Sequence, residues 1–290
     1  MDRLEMPQNL VDAAEREGRL EWLESVPGAV RQAQELWSLD LGEPFQPGGM
    51  TAWVGPVTAA SGEHLVLKVG WRHPEAEHEA RALRSWGGNG AVRLHAAQES
   101  GDTIVLLLER CEPGLALSGR AEPEQDVVVA GLLRRLWISP AAGPGFRPLE
   151  HMCQAWAAGF EEQIAGGRCG LDPGLARAAA TLFRELPATA ASHVLLCTDL
   201  HAGNVLAARR EPWLVIDPKP YIGDPTYDPL QHMLNCEERL RADPRGLAAR
   251  MAGLLGLDGD RLLLWLFARC AIESPDWPPL ADVARQLAPA

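Results

Sequence analysis

The chain has 290 residues, enough for one two-lobed unit or two small domains, and a formal net charge of −12. That excess of carboxylates argues against a nucleic-acid partner, which needs clustered Lys and Arg for its phosphates. It is equally compatible with a cationic ligand and with an acidic surface that serves solubility alone. The six cysteines include no C-x-x-C pair, so neither a zinc site nor a disulfide framework is expected. There is no apolar signal core after Met1, and the longest apolar runs, such as 104–108, are far too short to span a bilayer. A cytoplasmic location without membrane contact follows as the expectation.

In chain order, residues 1–40 read as two helices broken at Pro27-Gly28, packing on a small lobe or helping to close a cleft. Residues 41–112 alternate short strands with one helix and predict a five-stranded lobe. Gln46-Pro-Gly-Gly-Met-Thr51 is a turn-rich loop within it. Lys68 sits in the middle of the strand His64-Leu-Val-Leu-Lys-Val-Gly70, either as an edge-strand lysine that blocks unwanted pairing or as a phosphate ligand. A helix over 74–86 follows, with Pro74 suited to its first turn. Glu79 falls inside its apolar stripe between Ala76 and Leu83. A carboxylate there needs a partner, and the strand lysine Lys68 is the obvious one, with Glu75 as the reserve carboxylate. Gly87-Gly-Asn-Gly90 reads as a helix cap and turn, not a dinucleotide fingerprint. Residues 103–114 form a buried strand that runs into a turn.

Residues 113–290 have helical spacing over 123–137, 147–165, 172–187, 225–240, 243–256 and 259–273, with a loop at 136–145. Between the third and fourth of these helices, Val194-Leu-Leu196, Val205-Leu-Ala207 and Trp213-Leu-Val-Ile216 read as short buried strands.

The chemistry is concentrated around those strands. Asp199 and Asn204 are five positions apart, and Asp217 follows the third strand. This is the spacing at which a kinase places a carboxylate to take the acceptor hydroxyl's proton and two oxygen ligands for Mg²⁺. Asn and Asp oxygens suit a hard cation, and phosphoryl transfer asks mainly for orientation and charge neutralisation. ATP is the expected co-substrate, with GTP open at the base. Lys68 and Glu79 then form the phosphate-binding pair. The strand end at Glu109, Arg110, Cys111 and Glu112 becomes the hinge, where backbone groups meet the adenine. His201 reads as a structural histidine of the loop rather than a proton carrier.

These residues together resemble the aminoglycoside phosphotransferase superfamily, within it the streptomycin 6-phosphotransferase and hydroxyurea phosphotransferase branch. The carriers are Leu-Lys-Val around Lys68, Glu-Ala-Arg-Ala-Leu at 79–83, Leu-Leu-Leu-Glu-Arg at 106–110, Thr-Asp-Leu-His-Ala-Gly-Asn-Val-Leu at 198–206, Ile-Asp-Pro-Lys at 216–219 and Gly-Asp-Pro with Tyr-Asp at 223–228. The family's usual His-Gly before the catalytic Asp is Cys197-Thr198 here. The resemblance implies an α+β, two-lobed protein-kinase-like fold. Its expected parts are N-terminal helices over 1–40, a small mixed-sheet nucleotide-binding lobe over 41–112 and a mainly helical lobe over 113–290. It implies an ATP-dependent transfer of phosphate to a hydroxyl of an aminoglycoside, an aminocyclitol or a hydroxyurea-like compound. Asp199 is then the base, and Asn204 and Asp217 are the magnesium ligands.

A metabolic sugar or amino-sugar kinase and a non-catalytic nucleotide-binding regulator are the alternatives. A protein kinase is disfavoured by the absence of G-x-G-x-x-G and D-F-G. Substrate contacts are expected from Asp224, Asn235, Glu238, Glu273 and Trp277, with His151 and Trp156 as weaker choices. Asp224 and Asp228 also read as braces of the catalytic loop. A monomer or weak dimer is expected.

Overall fold

The computed structural model describes residues 4–139 and 145–289. It divides into two compact units, Met1–Gly114 with Ala208–Pro212, and Leu115–Ala207 with Trp213–Ala290.

The smaller unit begins with helices α1 (Gln8–Arg16) and α2 (Leu20–Trp37). Pro27 lies inside α2 and does not break it, contrary to the sequence expectation. The break falls at Gly18, whose φ of 65° suits a residue without Cβ. Trp22, Val26, Val30 and Ala33 form one buried stripe through the proline, and that packing offsets the lost helical hydrogen bond.

The stripe covers one face of a five-stranded sheet of order β1-β2-β3-β5-β4. The strands are β1 (Leu39–Leu41), β2 (Ala52–Ala59), β3 (His64–Trp71), β4 (Leu94–Ser100) and β5 (Thr103–Glu109). Every pairing is antiparallel, where a mixed sheet was expected. The β2–β3 and β4–β5 links are too short for the crossover that a parallel pair needs. On β3, Leu65, Leu67 and Val69 face the helices, so strand alternation turns Lys68 to the opposite face. Helix α3 (Glu79–Trp86) starts five residues later than its sequence suggested. The segment before it closes i→i+3 turns, Ala76 N–H to His73 O and Glu79 N–H to Ala76 O, instead of α-helical bonds.

The larger unit is mainly helical: α4 (Glu122–Leu136), α5 (Leu149–Ala165), α6 (Pro173–Glu185), α7 (Leu230–Asn235), α8 (Glu237–Ala242), α9 (Pro244–Leu255), α10 (Gly259–Glu273) and α11 (Pro279–Leu287). The single helix expected over 225–240 is a 3₁₀ turn at Pro225–Tyr227 followed by α7 and α8, with Pro225 and Pro229 blocking continuous α-helical bonding. Of the loop expected at 136–145, residues 140–144 lie outside the described residues. Two strand pairs, β6 (Val194–Leu196) with β9 (Tyr221–Gly223) and β7 (Val205–Ala207) with β8 (Trp213–Val215), lie in sequence between α6 and α7. Among the described residues, no helix is long and apolar enough to cross a membrane.

A buried ion cluster ties the helices together. Asp126 of α4, 0 % exposed, accepts from Arg239 Nη2 (2.9 Å) and Arg250 Nε (2.6 Å), and His232 Nε2 lies 2.9 Å from it. Cys236 completes a set of potential metal ligands with Asp126 and His232. However, two guanidiniums already meet the carboxylate, and burial pushes the Cys236 thiol up to about 12. The cluster is therefore an ion-pair network. Burial alone would raise the Asp126 carboxyl, but the hydrogen bonds from His232, Arg239 and Arg250 outweigh it and hold the group well below its ordinary range. A depressed carboxyl stabilises the fold above its unfolded pKa, and that contribution is lost as the pH falls. Asp126→Ala is expected to cost about 1–3 kcal/mol near neutral pH, because the buried His232 and the partly exposed Arg239 and Arg250 lose their shared acceptor. The deficit relative to wild type should hold from neutral pH down to about pH 4 and shrink only below that, as read by urea unfolding carried from neutral pH to about pH 2.

Candidate active site

In the smaller unit, β3 and α3 bring Lys68 and Glu79 together. Lys68 Nζ donates to both Glu79 oxygens, at 2.9 and 2.7 Å, and Glu79 is 2 % exposed. A buried carboxylate so placed fixes the long lysine side chain and the direction of its charge.

The segment at the end of β5 engages its own side chains. Glu109 accepts from Arg210 Nε (2.8 Å) and Nη2 (2.9 Å) and from Arg93 N–H (2.9 Å). Burial works to raise its carboxyl, but Arg210 and Arg93 bring it below its ordinary range. Glu112 lies against His64 (3.0 Å), Arg209 (3.2 Å) and Arg110 (3.9 Å). Burial pushes the Cys111 thiol up to about 12. Both carboxylates are thereby engaged, and the Glu109 N–H is given to Arg93 O at 2.9 Å.

In the larger unit, the β7–β8 hairpin sets the remaining residues. Val205 pairs with Val215, and Ile216 N–H donates to Asn204 O (2.9 Å). Antiparallel register therefore carries Asn204, just before β7, to the same end as Asp217, just after β8. Asn204 Nδ2 donates to Asp199 O (3.0 Å) and lies 3.4 Å from Asp199 Oδ2. Its amide nitrogen is thereby committed to Asp199, which leaves the amide oxygen as its acceptor. Together with the Asp217 carboxylate it makes an all-oxygen donor set, which fits Mg²⁺. Lys219 Nζ is 3.0 Å from Asp217 Oδ1. His201 Nδ1 accepts the Gly203 N–H (3.1 Å), and burial lowers its pKa, so it shapes the loop.

Two carboxylates brace this region. Asp228, 0 % exposed, accepts from Cys197 N–H (3.1 Å), Thr198 N–H (2.6 Å) and Trp137 Nε1 (2.8 Å). Burial pushes its carboxyl up to about 6, although those three donors favour the ionised form. Asp224 accepts from Thr226 N–H (2.9 Å), Arg261 Nε (2.6 Å) and Trp265 Nε1 (2.7 Å). It is 2 % exposed, so it braces the fold and is removed from the substrate candidates.

The structure also separates the remaining substrate candidates. Glu273 and Trp277 line a cavity of about 380 Å³ with Trp156, Phe160, Gln163 and Asp276. Asn235 and Glu238 are exposed and absent from that lining. Arg269 lies behind the cavity wall, unflagged by the sequence reading because it sits within the apolar run of α10. Its Nε donates to Glu273 (2.6 Å), its other nitrogens reach Tyr227 and Gln231, and its guanidinium lies 4.5 Å from the Trp156 ring centre.

A small antiparallel sheet, a helical remainder, a Lys–Glu pair and an Asp/Asn/Asp loop set define a kinase of the protein-kinase-like fold. The family model described as aminoglycoside/hydroxyurea antibiotic resistance kinase matches residues 40–278, and the chain belongs to that family. It is 40 % identical to a hydroxyurea phosphotransferase of Kitasatospora aureofaciens, covering 92 % of this chain and 78 % of the relative. It is 33 % identical to a streptomycin 6-kinase of Streptomyces griseus, covering 92 % and 89 %. A thermostable mutant of an aminoglycoside phosphotransferase, solved with ADP and hygromycin B, shares the fold at a TM-score of 0.53 and 15 % identity, over 89 % of this chain and 95 % of that one. The protein is thus a phosphotransferase with an alcohol group as acceptor.

The brace makes a direct prediction. Asp228→Asn leaves one of the three N–H donors facing an amide NH₂, so the variant should lose about 1–3 kcal/mol of stability. Its kcat should fall by a larger factor than its folded fraction at assay temperature, as measured by thermal melts and turnover on one preparation.

Proposed function

We propose that the protein transfers the γ-phosphoryl group of Mg²⁺-ATP to a hydroxyl of an aminoglycoside, an aminocyclitol or a hydroxyurea-like compound. The observation that carries this reading is the β7–β8 hairpin, which sets two oxygen ligands at one end, with the Asp199 carboxylate beside the first of them. Asp199 orients the acceptor hydroxyl and takes its proton late. Asn204 and Asp217 hold Mg²⁺, which when bound neutralises charge on the transferring phosphates. Lys68, fixed by Glu79, contacts the phosphates of the nucleotide. The backbone of 109–112 takes the edge of the base. The likeness to a fold that binds ADP supports the choice of nucleotide. The unbridged cysteines agree with a reducing, cytoplasmic setting.

For the acceptor we favour the cavity at Trp156, Glu273, Asp276 and Trp277. Indole faces and two carboxylates suit a polar ring that carries an amine or a guanidine. The relatives named for hydroxyurea and streptomycin support the same class.

Asp199→Asn is expected to lower kcat by about 10²–10⁴ while Mg²⁺-nucleotide affinity stays within error. Asp217→Asn should instead weaken that affinity. Acceptor-dependent ADP release over streptomycin, other aminocyclitols, glucosamine, neutral sugars and hydroxyurea, with calorimetry of nucleotide binding, checks both. Normal turnover by the Asp199 variant would remove the assignment. Glu273→Gln should raise KM for a cationic acceptor by up to about fivefold and leave KM for hydroxyurea unchanged. Equal effects on the two would place the acceptor elsewhere.

A further inference from the structure

Thr198 has a backbone that its side chain disfavours. Its φ is 52°, in the left-handed region that glycine enters freely and a β-branched residue enters at a cost of about 1–3 kcal/mol. Among the described residues, the other non-glycine positions with positive φ are Ser38 and Asp217, so two of the three lie in the loops that carry Asp199 and Asp217. Such a conformation persists only where its surroundings hold it.

Three contacts do so. The Thr198 N–H donates to Asp228 Oδ1 at 2.6 Å. The Thr198 hydroxyl donates to the carbonyl oxygen of Lys219. In return, the Lys219 N–H donates to Cys197 O at 2.9 Å. Cys197-Thr198 and Lys219 therefore grip each other's backbone at two points. Lys219 Nζ in turn lies 3.0 Å from Asp217 Oδ1. Thr198 is only 8 % exposed, so water is a poor substitute for its hydroxyl.

We propose that Thr198 is a positioning residue for phosphoryl transfer: its hydroxyl clasps the segment bearing Asp217 to the loop bearing Asp199, fixing the spacing of base and metal ligand. The inference rests on the phosphotransfer reading above. It differs from a role in general stability because glycine, which relieves the strained φ, lacks the clasp. Serine keeps the clasp with less branching, and valine keeps the shape without it.

The test uses the full chain with Thr198→Val, Thr198→Gly and Thr198→Ser. Melting temperature, Mg²⁺-dependent binding of a non-hydrolysable ATP analogue, and kcat and KM on an accepted acceptor are measured for each. Thr198→Val and Thr198→Gly are expected to lower kcat about 10- to 100-fold and to require more Mg²⁺ for nucleotide binding, with acceptor KM unmoved. Thr198→Ser should recover most of the lost kcat. Thr198→Gly should show its catalytic loss without a matching fall in melting temperature. Wild-type kcat and Mg²⁺ dependence in both the Val and Gly variants would overturn the clasp, as would a kcat loss that merely tracks melting temperature. If the wild-type chain fails to bind the Mg²⁺-nucleotide at all, the phosphotransfer reading falls and the clasp with it. Wild-type binding with unaffected variants removes the clasp alone.

Discussion

The larger unit depends on one buried carboxylate. The chain leaves β6 and bends so sharply that Asp199 N–H bonds the carbonyl of Cys197, two residues back. A bend of that kind turns the N–H groups of Cys197 and Thr198 away from any strand partner, and Asp228 receives both. Burying an ionised carboxyl is costly, and three convergent donors offset that cost. Asp199 is therefore carried by backbone that is itself anchored.

The same short stretch reaches in the other direction. Asp224, Tyr227 and Asp228 are separated by one 3₁₀ turn, and each has a different partner. Asp224 holds Arg261 and Trp265 of α10, Tyr227 holds Arg269 of α10, and Asp228 holds the loop at 197–198. Tyr227 and Trp265 also meet edge to face, with ring centres 5.0 Å apart. The turn thus links the loop of Asp199 mechanically to the helix whose end carries Glu273. A change in packing at α10 has a short, hydrogen-bonded route to the catalytic loop.

What the sequence made legible was local. The strands around Asp199 and Asp217 stood out because each is a short apolar run bounded by polar turns, and the pairing of Lys68 with Glu79 followed from a carboxylate inside an apolar stripe. Long-range facts were harder to read. Pro27 looks like a break, yet tertiary packing of Trp22, Val26 and Val30 carries α2 through it. Asp224 reads as a brace or as a substrate contact, and its partners Arg261 and Trp265, about forty residues later, decide for the brace. Asn235 and Glu238, expected on one helix, fall on α7 and α8 and are both exposed. Helix α11 lies beyond the last helix expected from the sequence, although Leu280, Val283, Ala284 and Leu287 recur at helical spacing behind Pro279.

The charge around the cavity proposed for the acceptor bears on which members of the substrate class suit it. Glu273 and Asp276 bring two carboxylates, but Arg269 already spends its Nε on Glu273 and lays its guanidinium on Trp156. The local excess is therefore one negative charge, not two. Arg269 also stiffens the wall, because a side chain bonded to Glu273, Tyr227 and Gln231 at once has little rotamer freedom left. Such a wall favours a flat or weakly charged acceptor that stacks on indole and offers a single donor to carboxylate. A polycation would need further carboxylates beyond this lining. On that physical ground, this lining balances a singly charged or neutral group better than a polycation.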